Sequence, residues 1–157
     1  MKIGIGFDIH RTDKQRKLVL GGIEIESEYG LAGHSDADVL IHAIIDAILG
    51  ALGKGDIGEH FPDTDEQYKN ISSVVLLENV KDMIDNEGMK IGNIDCNIIL
   101  EKPKLSAYKQ QIRDNLAEIL NISTEFVNIK AKTNEKLGFI GNGEAVEAQA
   151  VVLLETE

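Results

Sequence analysis

Lys2-Ile3-Gly4-Ile5-Gly6-Phe7-Asp8-Ile9-His10 alternates apolar residues with glycine and polar ones at a period of two. That is the period of a β-strand, whose successive side chains leave on opposite faces. The alternation predicts that Ile3, Ile5, Phe7 and Ile9 face a core while Asp8 and His10 project together from the other side. A carboxylate beside an imidazole can hold two corners of a zinc tetrahedron. The same residues equally describe a strand that ends in a polar turn, so the choice needs a third ligand and a pocket from elsewhere.

Outward from this strand, residues 17–25 (Lys-Leu-Val-Leu-Gly-Gly-Ile-Glu-Ile) read as a hairpin turning at Gly21-Gly22. Residues 35–52 predict a helix with an acidic Ser-Asp-Ala-Asp start and glycines at its far end. Asp36, Asp38, His42 and Asp46 argue that it lies in protein rather than in a membrane. Residues 53–70 carry three glycines and Pro62 and predict a long loop. A second helix runs over 72–87 and stops at Gly88, a strand covers 94–101, and Leu105, Tyr108, Ile112, Leu116 and Ile119 mark one face of a third helix. Val127, Ile129 and Ala131 alternate as a strand, and 138–143 is a glycine-containing loop. The last strand, 144–155, carries apolar residues on both faces, which predicts burial on both sides at a subunit contact. The whole is a single α+β domain over 1–157 with four or five main strands and three helices.

Composition bounds the function. Sixteen basic against 27 acidic residues leave a net charge of −11, which disfavours nucleic acid and anionic membrane as partners. A chain this acidic that binds phosphate must neutralise it locally, and carboxylates holding metal ions do so. One cysteine, Cys96, excludes an internal disulfide and a Cys-rich zinc module. The chain opens directly on a strand pattern, which predicts a cytoplasmic protein, or one in an organelle lumen if a transit segment has been removed.

Asp38, His42 and Asp46 are spaced four and four, which predicts a polar stripe on an apolar helix. Such groups are buried at a cost of several kcal/mol unless paired or metal-bound. A histidine held between two aspartates is one reading. Combined with Asp8 and His10, however, His42 completes an Asp-His-His set with a fourth position open, and Asp46 is placed to orient its ring. Gly33-His34-Ser35 offers backbone N–H groups to an anion, although Ser35 equally reads as a helix cap. Asp56, Asp63 and Asp65 place carboxylates in a loop, where a polyol would suit them; solvated turn residues are the alternative. Lys132-Thr133-Asn134-Glu135-Lys136 follows a strand and could hold phosphates and a hard cation, but it is not a Walker loop.

These segments resemble the 2-C-methyl-D-erythritol 2,4-cyclodiphosphate synthases of the non-mevalonate isoprenoid pathway. The resemblance runs through Gly6-Phe7-Asp8-Ile9-His10, Gly33-His34-Ser35-Asp36-Ala37-Asp38 with His42, Gly55-Asp56-Ile57-Gly58, Phe61-Pro62-Asp63-Thr64-Asp65 and Glu135-Lys136-Leu137-Gly138-Phe139. It implies a homotrimer around a threefold axis, a mixed sheet with helices on one side, and active sites between subunits. It implies zinc on Asp8, His10 and His42, and Mg²⁺ or Mn²⁺ on Glu135. His34, Ser35, Asp56, Ile57, Gly58, Phe61, Asp63 and Asp65 match the methylerythritol phosphate pocket. Leu100, Lys104, Leu105, Ser106, Ala131, Lys132, Thr133 and Asn134 match the CDP region, and Phe139 belongs to the last motif. His34 and Thr133 would donate hydrogen bonds in the reaction. Lys132, Asn134 and Asn142 depart from the family pattern, and Asn142 stands where an arginine often reaches a cavity on the threefold axis. The implied activity is that of a phosphorus–oxygen lyase. A metal-dependent phosphohydrolase and a non-catalytic trimeric metal scaffold are the alternatives.

Overall fold

The computed structural model describes residues 1–156. Strand β1 (Lys2–Asp13) leads through a hairpin, β2 (Leu18–Leu20) and β3 (Ile23–Ile25), to the short β4 (Gly30–Leu31). Helix α1 (Val39–Leu52), the single turn α2 (Ile57–His60) and α3 (Ser73–Asn86) follow. Then come β5 (Met89–Ile99), α4 (Lys109–Leu120), β6 (Val127–Lys132), the turn α5 (Gly138–Gly141) and β7 (Ala145–Thr156). The main sheet has the order β4-β1-β7-β5-β6 and is mixed, since β5 and β6 run parallel while the other pairs are antiparallel. Helices α1, α3 and α4 cover one face of it, as the α+β reading expects. The β2–β3 hairpin turns at Gly21-Gly22, both with positive φ (61° and 77°), which only glycine adopts without strain.

The direction in which β1 faces is opposite to the expectation. Ile3, Ile5 and Phe7 are 71%, 77% and 51% exposed, while Gly4 and Gly6 are buried against α1. A β-carbon on Gly4 would lie 1.8 Å from the Ala47 carbonyl oxygen, and one on Gly6 1.8 Å from that of Ala43. The helix backbone therefore rests directly on the strand. Asp8 and His10 share the glycine face and so point toward α1 rather than away from the core. Strand β7 behaves likewise: Val146, Ala148, Ala150, Val152 and Leu154 are buried under the helices, but Val151 on the other face is 45% exposed. The expected two-sided burial of this strand is absent within one chain.

Nearly every residue of α1 is buried, because β1 and β7 lie on one side and α3 packs on another. Each fully buried Leu or Ile there contributes about 2 kcal/mol. The helix starts four residues later than expected, with Asp38 as its cap. Two expected loops also hold helical turns, α2 together with a 3₁₀ turn at Glu66–Tyr68 in one and α5 in the other. In the first, Asp56 and Asp65 accept the N–H groups of Glu59 and Gln67, so carboxylates read as solvated or substrate-facing nucleate the turns.

Candidate active site and metal centre

Strand β1 and helix α1 bring Asp8, His10 and His42 to one point. Asp8 Oδ2 lies 2.9 Å from His10 Nε2 and 3.0 Å from His42 Nδ1, and the two imidazole nitrogens are 3.1 Å apart. These edges approach the ~3.3 Å separation of ligands around a tetrahedral ion with ~2.0 Å bonds. The His10 ring is fixed from behind, because its Nδ1–H donates to the Ala32 carbonyl at 2.7 Å. That leaves the Nε2 lone pair facing Asp8 and His42. Three electron-rich atoms converging at about 3 Å require a proton or a cation between them. Among the described residues, this is the one group of three or more such side chains placed to hold a metal ion.

The electrostatics agree. Burial raises the Asp8 pKa, but hydrogen bonds and charge from His10 and His42 more than offset it and hold the carboxyl near 2. For His10, burial works against the charged form, yet the Asp8 carboxylate raises its pKa above the usual value. The set is thus tuned to keep an anion at its centre and a positive charge beside it.

Asp46 does not orient His42. Its carboxylate accepts the N–H of Ile57 at 2.8 Å and pins the start of α2, while burial raises its pKa. Asp38 also leaves the expected stripe. It turns away to accept N–H groups from Gly21, Gly22 and Ile41, and burial pushes its pKa up to about 6. The His42 ring instead meets two hydroxyls, Ser73 Oγ at 2.9 Å and Ser35 Oγ at 3.2 Å from Nε2. Ser73 was missed because its only sequence signal, a position at the start of a helix, is that of a cap.

A cavity of about 420 Å³ opens over this centre. His34, Ser35, Ile57, Gly58, Phe61 and Asp63 line it with the Asp-His-His set, and Tyr68 and Leu76 add apolar wall that the sequence reading missed. His34 Nε2 lies 3.1 Å from the Asp65 carbonyl oxygen, linking the two loops. Arg16 donates to the carbonyls of Gly33 and Ser35 at 2.6 and 2.5 Å and so holds the His34 loop. Nothing in the sequence separates Arg16 from a surface arginine. Asp56 and Asp65 sit at turn caps and do not line the cavity.

The second group of candidates lies elsewhere. Leu100, Lys104, Leu105, Ser106, Ala131, Lys132 and Thr133 line a separate pocket of about 220 Å³. Beside it, Glu101 accepts the N–H groups of Asn134 and Lys136 and holds the turn where Glu135 and Lys136 take positive φ (51° and 61°). Thr133 Oγ1 donates to Glu135 Oε1 at 3.3 Å. Phe139 belongs to neither pocket; it is 55% exposed, near Ile9, Arg11 and Glu144. Asp8, Ala148, Ile98 and Ala131 form one row across the sheet. Three strand spacings therefore separate the two pockets, about 14 Å.

The YgbB family model matches residues 1–155. A 2-C-methyl-D-erythritol 2,4-cyclodiphosphate synthase from Halothermothrix orenii is 56% identical over 154 residues, 98% of this chain and 93% of that protein. The bifunctional IspDF from Campylobacter jejuni superposes with a TM-score of 0.96 at 43% identity, over 99% of this chain and 42% of that longer one. The IspF of Plasmodium falciparum, solved as a CDP complex, superposes with a TM-score of 0.87 at 38% identity, over 99% and 96% of the two chains.

Proposed function

The chain belongs to the YgbB family, and we propose that it is a 2-C-methyl-D-erythritol 2,4-cyclodiphosphate synthase acting in the non-mevalonate pathway, with residues 1–157 as one catalytic domain in the cytoplasm. In this reaction the 2-phosphate oxygen of 4-diphosphocytidyl-2-C-methyl-D-erythritol 2-phosphate attacks the β-phosphorus. The bond to the α-phosphate oxygen breaks, CMP leaves, and the cyclic diphosphate forms. The substrate carries its own nucleophile, so the protein's task is to align two anionic groups and offset their charge.

The donor set fits zinc on Asp8 Oδ2, His10 Nε2 and His42 Nδ1, two imidazoles and a carboxylate around one point. Glu135, an exposed carboxylate that accepts the Thr133 hydroxyl, would hold Mg²⁺ or Mn²⁺. When bound, the two metals supply charge neutralisation and Lewis acidity at the diphosphate. His34, Ser35 and the Ile57, Gly58, Phe61 and Asp63 wall bind the methylerythritol part. Asp56 and Asp65 shape the loops beneath it. Leu100, Lys104, Leu105, Ser106, Ala131, Lys132 and Asn134 bind cytidine and diphosphate, with Phe139 at the edge. His34 and Thr133 donate hydrogen bonds as charge moves toward the leaving CMP.

The observation that carries this reading is the separation of the two pockets. A diphosphate cannot reach both the Asp-His-His centre and Thr133 of the same chain across about 14 Å. A homotrimer solves this by joining the metal pocket of one chain to the CDP pocket of its neighbour. The outer face of the sheet supplies the contact, since leaving Ile3, Ile5 and Phe7 in water forfeits about 5 kcal/mol per chain.

Incubation of the protein with this substrate, zinc and Mg²⁺ tests the proposal by phosphorus NMR. The expected products are CMP and the cyclic diphosphate in equal amounts. CMP with a linear bisphosphate would indicate a phosphohydrolase, and unchanged substrate a non-catalytic scaffold.

A further inference from the structure

His42 meets the proposed metal point through Nδ1, and its ring lies in the wall of the cavity. A neutral imidazole presents a lone pair there only if its proton sits on Nε2. For His10 the equivalent choice is made by a backbone carbonyl. No carbonyl faces His42 Nε2; its two partners are hydroxyls, and a hydroxyl can either donate or accept.

What decides the matter is Asp36. Its Oδ1 lies 2.5 Å from Ser73 Oγ, and its Oδ2 accepts the Ser73 backbone N–H at 3.0 Å. Both Asp36 oxygens already act as acceptors, of the Ser73 and Asp38 backbone N–H groups, so the proton of this short bond belongs to Ser73 Oγ. With its proton committed to Asp36, Ser73 Oγ can only accept from the ring, 2.9 Å away. We propose that Asp36 and Ser73 form a carboxylate–hydroxyl relay that keeps the His42 proton on Nε2 and so frees Nδ1 for the metal. Ser73 is fully buried, which shields the relay from water, and Asp36 is held in turn by the Asp38 N–H at 3.1 Å. Ser35 Oγ, which accepts the Ala37 N–H, lies farther from the ring and is the weaker partner. Asp36 and Ser73 are positioning residues: neither lines the cavity.

This inference rests on the zinc reading above, so its test separates the two. Ser73→Ala removes the relay hydroxyl but keeps the backbone bond from residue 73 to Asp36, and Asp36→Asn removes the anion while keeping the side chain's shape. The His42 tautomer is read from imidazole ¹⁵N spectra of the metal-stripped, full-length protein, and zinc affinity from competition with a chelator. In the wild type His42 should keep its proton on Nε2, the proton shared with Asp8 Oδ2 being supplied by His10 Nε2. Ser73→Ala should give a mixture of tautomers and a zinc dissociation constant raised about 10–100-fold, in a protein that still unfolds cooperatively in urea. Asp36→Asn should move both readouts in the same direction. A wild-type Nε2–H spectrum and wild-type zinc affinity in both variants would overturn the relay and leave Asp36 as a cap of α3. A tautomer that shifts as stated in a protein that binds no zinc would uphold the relay and overturn the metal reading instead.

Discussion

The carbonyl oxygen of Ala43 lies 1.8 Å from where a β-carbon on Gly6 would stand. Helix α1 can therefore sit on β1 only where the strand carries no side chain. Ala43 directly follows His42 on the helix, and Gly6 is two residues from Asp8, so this contact sets the distance across the metal point. Gly6→Ala is expected to push the helix outward, destabilising the fold by about 3 kcal/mol or more and abolishing zinc binding. Urea unfolding and metal analysis of the variant check both outcomes; an unaltered zinc content would mean that the contact does not position the site.

The alternation in residues 2–10 made β1 legible as a strand and paired Asp8 with His10, but it could not say which face was inside. Hydrophobicity points to Ile3, Ile5 and Phe7, and within one chain these are exposed. A helix backbone lying on glycines leaves no apolar residue on the buried side to announce it. The periodicity of residues 35–52 likewise exposed His42 as a ligand candidate but misjudged Asp38 and Asp46. Their partners, the Gly21-Gly22 turn and the Ile57 N–H, are backbone groups from distant segments, which no spacing rule sees. Arg16 and Ser73 were hidden for the same reason.

Subunit mixing tests the shared site. His10→Ala damages the proposed metal pocket and Thr133→Ala the proposed CDP side. If each site draws on two chains, statistical mixing of the two inactive proteins restores roughly a quarter of the sites, those formed by one intact half from each. Activity should rise from background toward that fraction after exchange. No recovery despite exchange proven by mass spectrometry would place both halves in one chain.

Glu135→Gln separates the two metals. Carboxylate oxygen suits Mg²⁺, and the Asp8, His10 and His42 set suits zinc. The Mg²⁺ concentration for half-maximal activity should rise at least about tenfold while zinc content stays constant. A midpoint and maximum like the wild type's would reduce Glu135 to a turn residue that accepts the Thr133 hydroxyl.

In the metal-stripped protein, Asp8 and His10 stabilise the fold within a limited pH range. Asp8 titrates near 2 when folded and near 4 when unfolded, so its contribution is present above about pH 4 and disappears as pH falls through 2. His10 has a raised pKa, so its contribution is complete below about pH 6.5 and is lost as pH rises through the folded value. Comparison of wild type with Asp8→Asn isolates the pair, because Asp38 and the other carboxylates are common to both. The stability difference should be largest, up to about 2 kcal/mol, between pH 4 and 6.5 and should shrink on either side. A difference independent of pH would mean that Asp8 acts by shape and not by charge.

In the proposed assembly Asp8, His10 and His42 hold zinc against a diphosphate brought in by the neighbouring chain. A crystal soaked with zinc and CDP, measured at the zinc edge, tests it most directly. One anomalous peak is expected about 2.0 Å from Asp8 Oδ2, His10 Nε2 and His42 Nδ1, with a phosphate oxygen at the fourth position. The cytosine should lie in the Leu100, Lys104 and Ala131 pocket of an adjacent subunit in a trimer. A peak elsewhere, or a CDP held entirely by residues of one chain, would contradict it.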